Sequence, residues 1–298
     1  MEGMAPQGRH STDICRLISR FSVPSVLARA EVVAVKGELG EAVKGERLKL
    51  WHRVCDVVGV DPSTVEYDAT VDRLKGEWVK NWDVGSVVKE RASVTLFIHG
   101  GAHIFMSPGT HRGLTSHISK ETNGPVFALD YSLAPEAIFP VAIFETLLVY
   151  SSLIGTPEFN GFPTSYHTIF ANPLSKASFR PEQIQIMGDS SGGCLVTQTL
   201  LVMKALGIQM PNCAVLMSPF VDATCNSPSF TLNWTSDFLT LDPTGMQWAL
   251  SAYSGKNTSK AHPSISRIPQ RLFGPVSHLD SSWRCGVLLN DSIMLFEG

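Results

Sequence analysis

What this sequence lacks narrows its function first. Only 17% of its 298 residues are charged and the formal net charge is -3. No Lys/Arg cluster is interleaved with aromatics, so there is no basic field to attract nucleic acid. The six cysteines (Cys15, Cys55, Cys194, Cys213, Cys225 and Cys285) are scattered with no C-x-x-C pair. That spacing excludes the common zinc and dithiol patterns and suits reduced cysteines, with Cys194 and Cys213 expected in buried elements. The N-terminus, M-E-G-M-A-P-Q-G-R-H, has no apolar signal core, and no run approaches the length of a membrane span. A cytoplasmic protein without an integral membrane segment is the expectation. Sequon-like triplets beginning at Asn233, Asn257 and Asn290 carry no weight without an export signal.

What is present is apolar and rich in glycine: 44% of the residues are hydrophobic and 24 are glycine, enough to bury a core in one large domain. The stretch from Ile184 to Leu206 organises the chain. Ile184, Ile186 and Met187 suit a strand, whereas Leu195, Thr199, Val202, Met203 and Leu206 recur at helical spacing. Between them lies G-D-S-S-G-G, so a G-x-S-x-G pattern falls on a strand-to-helix turn. Gly188 and Gly192 leave room for a sharp turn at Ser190, and the following helix directs its first N–H groups at the serine hydroxyl. A second motif follows the apolar run Ser93 to Ile98: His99-Gly100-Gly101-Ala102-His103. Glycines placed after a strand let backbone N–H groups approach a substrate closely and stabilise a developing oxyanion together with the N–H of Ser191.

H-G-G-A, then D-Y-S-L-A-P-E at Asp130 to Glu136, then G-D-S-S-G-G resembles the hormone-sensitive-lipase-like group of α/β-hydrolase esterases. The likeness runs from roughly Gly76 to the C-terminus. It implies a doubly wound, mostly parallel sheet with a helical cap, and a serine carboxylic ester hydrolase acting on short acyl or acetyl esters of a small lipophilic metabolite. No cofactor and no metal are implied. Carried over by position, Ser190 is the nucleophile, Gly100 and Gly101 with Ser191 form the oxyanion hole, and His99 braces the glycine loop. Asp189 and Glu136 fall at scaffold positions.

Along the chain, residues 1 to 60 read as an N-terminal helical cap region or a helical pair on the sheet's flank. Residues 61–298 read as the hydrolase domain, with a cap insertion at about 222–262. Thr64 to Trp82 suits an opening antiparallel hairpin. From Ser93 onward strand and helix alternate: Pro125 to Leu129 a strand, Phe139 to Ile154 a helix opened by Pro140, Ile184 to Met187 and Cys213 to Met217 strands. The segment between Gly155 and Ser178 is longer than this connection needs. Asp222 is expected to cap a turn or helix. Phe230, Trp234, Phe238, Trp248 and Tyr253 are either core or pocket aromatics.

A serine esterase of this fold needs an acid and then a histidine after the nucleophile in sequence. Cys285 to Asn290 reads as a strand, and Asp291 at its end is the candidate acid. His278 is the candidate base, yet it precedes that strand, as does His262. A triad of Asp222, Asp237 or Asp242 with one of these histidines is the alternative. The simpler expectation is that the catalytic histidine, the last strand and the final helix are missing from this chain. A ligand-binding protein on the same scaffold is the competing class, since plant gibberellin receptors resemble the family and lack the catalytic histidine; a truncated, inactive product is the third.

Overall fold

The run V-T-L-F-I has no polar face to offer, so it forms a strand only where both faces are covered. In the computed structural model, which describes residues 29–34, 41–70, 74–80, 93–154, 179–233 and 243–266, that run is a wholly buried strand inside a six-stranded sheet. The strands are β1 (Arg29–Ala34), β2 (Lys75–Lys80), β3 (Val94–Ile98), β4 (Val126–Leu129), β5 (Ile184–Asp189) and β6 (Cys213–Met217), in the spatial order β1-β2-β4-β3-β5-β6. β4, β3, β5 and β6 are parallel, whereas β2 is antiparallel to both β4 and β1.

Helices cover both faces. α1 (Glu41–Val58), α3 (Val141–Leu153) and α4 (Ser191–Leu206) pack on the face that carries Trp78, Leu96, Ile98, Phe127 and Ile186. α2 (Arg112–Thr122) lays Leu114 and Ile118 on the opposite face, against Val79, Phe97, Ala128 and Met187. The alternation along each strand follows from the two-residue period of the pleat. Cross-strand partners Trp78 and Phe127 meet edge to face with ring centroids 5.0 Å apart, an aromatic pair that adds about 0.5–1.5 kcal/mol beyond its buried area.

Every residue of α3 is buried, including Glu145. Its carboxylate accepts hydrogen bonds from the N–H and hydroxyl of Ser132 (both 2.7 Å) and from the Tyr67 hydroxyl (3.3 Å). A buried carboxylate is tolerated only with such donors around it. After α3, Ile154 forms a parallel bridge with Phe179, whose N–H donates to Leu153 O at 2.9 Å. Two short helices, α5 (Pro228–Leu232) and α6 (Pro243–Ser254), follow β6.

The N-terminal expectation needs correction. β1 is a strand of the same sheet, not part of a helical region, because Val32 and Val33 are β-branched and pair with Glu77 and Gly76 of β2. β2 consequently finds its antiparallel partners in β1 and β4, and the described residues of 64–82 form no hairpin among themselves: Pro62–Thr64 is a 3-10 turn capped by Asp61. Cys213 is exposed, contrary to expectation, because β6 is an edge strand among the described residues, whereas Cys55 and Cys194 are buried. Cys15, Cys285, the segment 155–178 and the strand expected at Cys285 to Asn290 lie outside the described residues. No described helix is long and apolar enough to cross a membrane.

Candidate active site

β3 and β5 are neighbours, with Ile98 opposite Gly188. That register brings the ends of both strands, and hence both glycine motifs, to one point. At the end of β5 the chain turns through Ser190 at φ 51°, ψ -121°. A non-glycine residue held there costs about 1–3 kcal/mol, so surrounding contacts must enforce it. The Ser190 N–H donates to Met217 O (2.9 Å), and Ser190 O accepts from Cys194 N (3.1 Å) and Phe220 N (3.0 Å). The glycines are steric requirements: a Cβ on Gly188 would stand 2.6 Å from the backbone of Gly192, and one on Gly192 would fall on the carbonyl oxygen of Ile98. Ser190 is half-buried at the head of α4, facing the positive end of the helix dipole.

The second loop wraps against this elbow. His99 is buried, its Nδ1 is 2.7 Å from Gly100 O, and its ring stacks on Tyr131 with centroids 4.4 Å apart. Tyr131 donates its hydroxyl to His99 O at 3.0 Å. Ala134 N–H donates to His103 O at 2.9 Å. The D-Y-S-L-A-P-E segment therefore splints the glycine loop from outside, while Ser132 ties it to Glu145 of α3. Gly101 (φ 116°), Ala102 (φ 55°) and His103 (φ 63°) all take positive φ, the region where only glycine is unstrained. His103 N–H donates to Ser191 Oγ at 3.2 Å, locking loop to elbow.

One expectation changes here. The Gly100 N–H donates to Asp189 Oδ1 at 2.9 Å, so it is committed and cannot also serve an oxyanion. Among the described residues no hydrogen bond engages the N–H groups of Gly101, Ala102 or Ser191. Of the expected donors Gly100, Gly101 and Ser191, it is Gly100 that is engaged, and nothing in H-G-G-A reveals that Asp189 takes this N–H. Glu136 is exposed, as a scaffold surface residue can be.

Burial sets the electrostatics. Burial pulls the His99 imidazole down to about 4, against the Gly100 carbonyl. Burial, with His99 nearby, pulls His103 down to about 3. His99 Nε2 and His103 Nδ1 are buried and meet no hydrogen-bond partner among the described residues. His103 instead stacks on Tyr253 of α6, with centroids 3.7 Å apart and planes 7° from parallel. Tyr253 donates to Gln198 Oε1 of α4 at 3.0 Å, so this aromatic reaches the site, while Phe230 packs on Phe220 and Trp248 is 53% exposed. Trp234 and Phe238 lie outside the described residues. His111 behaves oppositely: burial lowers it, but the hydrogen bond and charge of Asp189 outweigh that and raise it.

The expected acid and base, Asp291 and His278, lie outside the described residues, as do Asp237 and Asp242. His262 does not reach Ser190: its Nδ1 accepts from Ser264 N–H (3.2 Å) and its ring lies beside Gly59 and Phe139. Asp222 accepts from Thr224 N–H at 2.9 Å in a local turn, the capping role expected of it. Among the described residues no group of side chains could hold a metal ion.

A family model described as the alpha/beta hydrolase fold matches residues 95–280. This chain belongs to that family. α/β-Hydrolase relatives include an esterase of Acinetobacter venetianus, 30% identical over 70% of this chain and 62% of the relative. An acetyl-hydrolase of Streptomyces hygroscopicus is 27% identical over 70% of this chain and 59% of the relative. The chain thus spans about three fifths of the length of these curated relatives. The crystal structure of an esterase from the bacterial hormone-sensitive lipase family superposes with a TM-score of 0.63 at 22% identity, over 98% of this chain and 77% of that one. The hydrolase sheet order and the resemblance stated from the motifs agree with this membership.

Proposed function

We propose that this chain carries the nucleophile and oxyanion half of a serine carboxylic ester hydrolase acting on short acyl or acetyl esters of a small lipophilic metabolite. One observation carries the reading: Ser190, its backbone held at positive φ, heads a helix beside a glycine loop, and the N–H groups of Gly101, Ala102 and Ser191 meet no hydrogen-bond partner among the described residues. Relatives named esterase and acetyl-hydrolase support it. In the proposed reaction Ser190 Oγ attacks the ester carbonyl carbon while a general base takes its proton. The carbonyl oxygen becomes an oxyanion held by those N–H groups. Collapse expels the alcohol with the proton, leaving an acyl-Ser190 ester, and water then releases the acid by the same route. His278 as base and Asp291 as acid remain part of the proposal.

The test is hydrolysis of p-nitrophenyl acetate by the full chain and by Ser190→Ala, with labelling by a fluorophosphonate. Label on Ser190, and turnover that disappears in a folded Ser190→Ala, is the expected result. Hydrolysis unchanged by the substitution would sink the assignment.

A further inference from the structure

Resting on that reading, we infer that His111 is a positioning residue for the oxyanion loop, acting through Asp189 on the N–H of Gly100. His111 stands at the head of α2, far in sequence from the G-D-S-S-G-G elbow, yet its Nε2 is 3.4 Å from Asp189 Oδ1. That same oxygen accepts the Gly100 N–H at 2.9 Å. One carboxylate oxygen therefore links the residue before Ser190, the residue before Gly101 and an imidazole. The other face of the His111 ring system is fixed as well: Nδ1 lies 3.2 Å from Ser107 O and 2.9 Å from Thr110 Oγ1. Since Nδ1 faces a carbonyl oxygen and Nε2 a carboxylate, both nitrogens sit where the doubly protonated ring donates twice.

The charged neighbours are accounted for. At the end of β5 stands Asp189; at the end of β3, the His99 ring lies 5.7 Å from His111 and is neutral because burial pulls it down to about 4. The next residue of α2, Arg112, is spent on a bidentate pair with Glu77 of β2 (2.7 and 2.6 Å). Asp189 is thus the anion that His111 meets. While protonated, His111 holds the Asp189 carboxylate in the orientation that anchors Gly100, and so fixes where the next two N–H groups point. Once neutral, His111 loses the charge that sets this orientation. A loop displaced by a fraction of an ångström weakens oxyanion binding in the transition state more than substrate binding in the ground state.

The test combines a measurement independent of turnover with a kinetic one. In ¹⁵N–¹H spectra of the full chain, the Gly100 amide should titrate with the same midpoint as the His111 ring, above the usual histidine value, and that titration should vanish in His111→Gln and in Asp189→Asn. On p-nitrophenyl acetate, His111→Ala should lower kcat about tenfold with KM changed less than about twofold. His111→Gln, whose amide can still donate to Asp189, should restore most of kcat and remove the alkaline fall in the wild-type pH profile. A Gly100 amide indifferent to His111 ionisation overturns the inference, as does a loss in His111→Ala confined to KM. If Ser190→Ala leaves hydrolysis unchanged, the hydrolase reading fails, and the amide titration still decides whether His111 is coupled to the loop.

Discussion

Acidification should unfold this protein through the buried histidines of its own glycine loop. His99 and His103 are buried neutral, with folded values of about 4 and about 3 against 6.5 for a free imidazole. A depressed histidine value means the unfolded chain binds the proton first. Its contribution is complete above 6.5 and is lost as pH falls from 6.5 toward the folded value. At about pH 4.5 each ring is roughly 2 pH units below 6.5, which at about 1.4 kcal/mol per unit removes about 3 kcal/mol per histidine. Two such losses approach the whole stability of a typical domain, about 5–15 kcal/mol. Glu145, raised by its burial, works in the other direction, because its carboxyl protonates more readily in the folded chain. The comparison that cancels Glu145 uses His103→Phe. The phenyl ring keeps the flat stack on Tyr253, and Nδ1 has no hydrogen bond to lose. Urea unfolding of wild type and His103→Phe, followed by circular dichroism at about pH 7 and about pH 4.5, should show the variant losing about 3 kcal/mol less on acidification. Equal losses in the two proteins refute the buried neutral imidazole.

Two further outcomes follow from the geometry. Gly192→Ala places a methyl on the Ile98 carbonyl, a backbone atom that cannot swing aside; it should cost at least about 2–3 kcal/mol in urea melts and abolish fluorophosphonate labelling of Ser190, and a stable, labelled variant would contradict the packing of elbow on β3. His262→Ala removes a ring that lies beside Gly59 and Phe139 and is hydrogen-bonded to the Ser264 N–H rather than to Ser190, so kcat on a short-chain ester should stay within about twofold of wild type while thermal stability falls; loss of turnover in the folded variant would restore His262 as the base.

The sheet's parallel part was legible because its strands are short apolar runs bounded by breakers. Cys213–Met217 and the start of Ile184–Asp189 fall where periodicity put them, and Pro140 stands at the N-cap of α3. β1 was not legible: Arg29–Ala34 mixes Ala, Val and Glu in a pattern that suits a helix equally well, and only pairing with β2 decides it. The elbow showed in sequence since Gly188 and Gly192 leave a steric signature. The roles of Tyr131, His103 and His111 did not, because they arise from stacking and hydrogen bonds between elements far apart in the chain, and Tyr253 stood in sequence only as one of several aromatics open to a core or a pocket role. Tyr131 and His103 left a trace only as members of the recognised motifs, and His111 only in lying just beyond the first of them. Which glycine N–H stays uncommitted was equally hidden, being fixed by where the Asp189 side chain points.

The bridge between Ile154 and Phe179 sets the two ends of the 155–178 connection side by side, a doorway with both jambs fixed. Phe179 is clasped to Leu153 by its own N–H, and β5 begins from Ile184 with its register already set by β3. The spacing of Ser190 and Gly101 is set by the pairing of β3 with β5 and needs no particular length between those two ends. Closing a longer excursion costs only about 0.6 kcal/mol per doubling of its length. For evolution or for an engineer, this doorway is therefore a splice point at which sequence can be shortened, lengthened or exchanged for a reporter, with the elbow left in place.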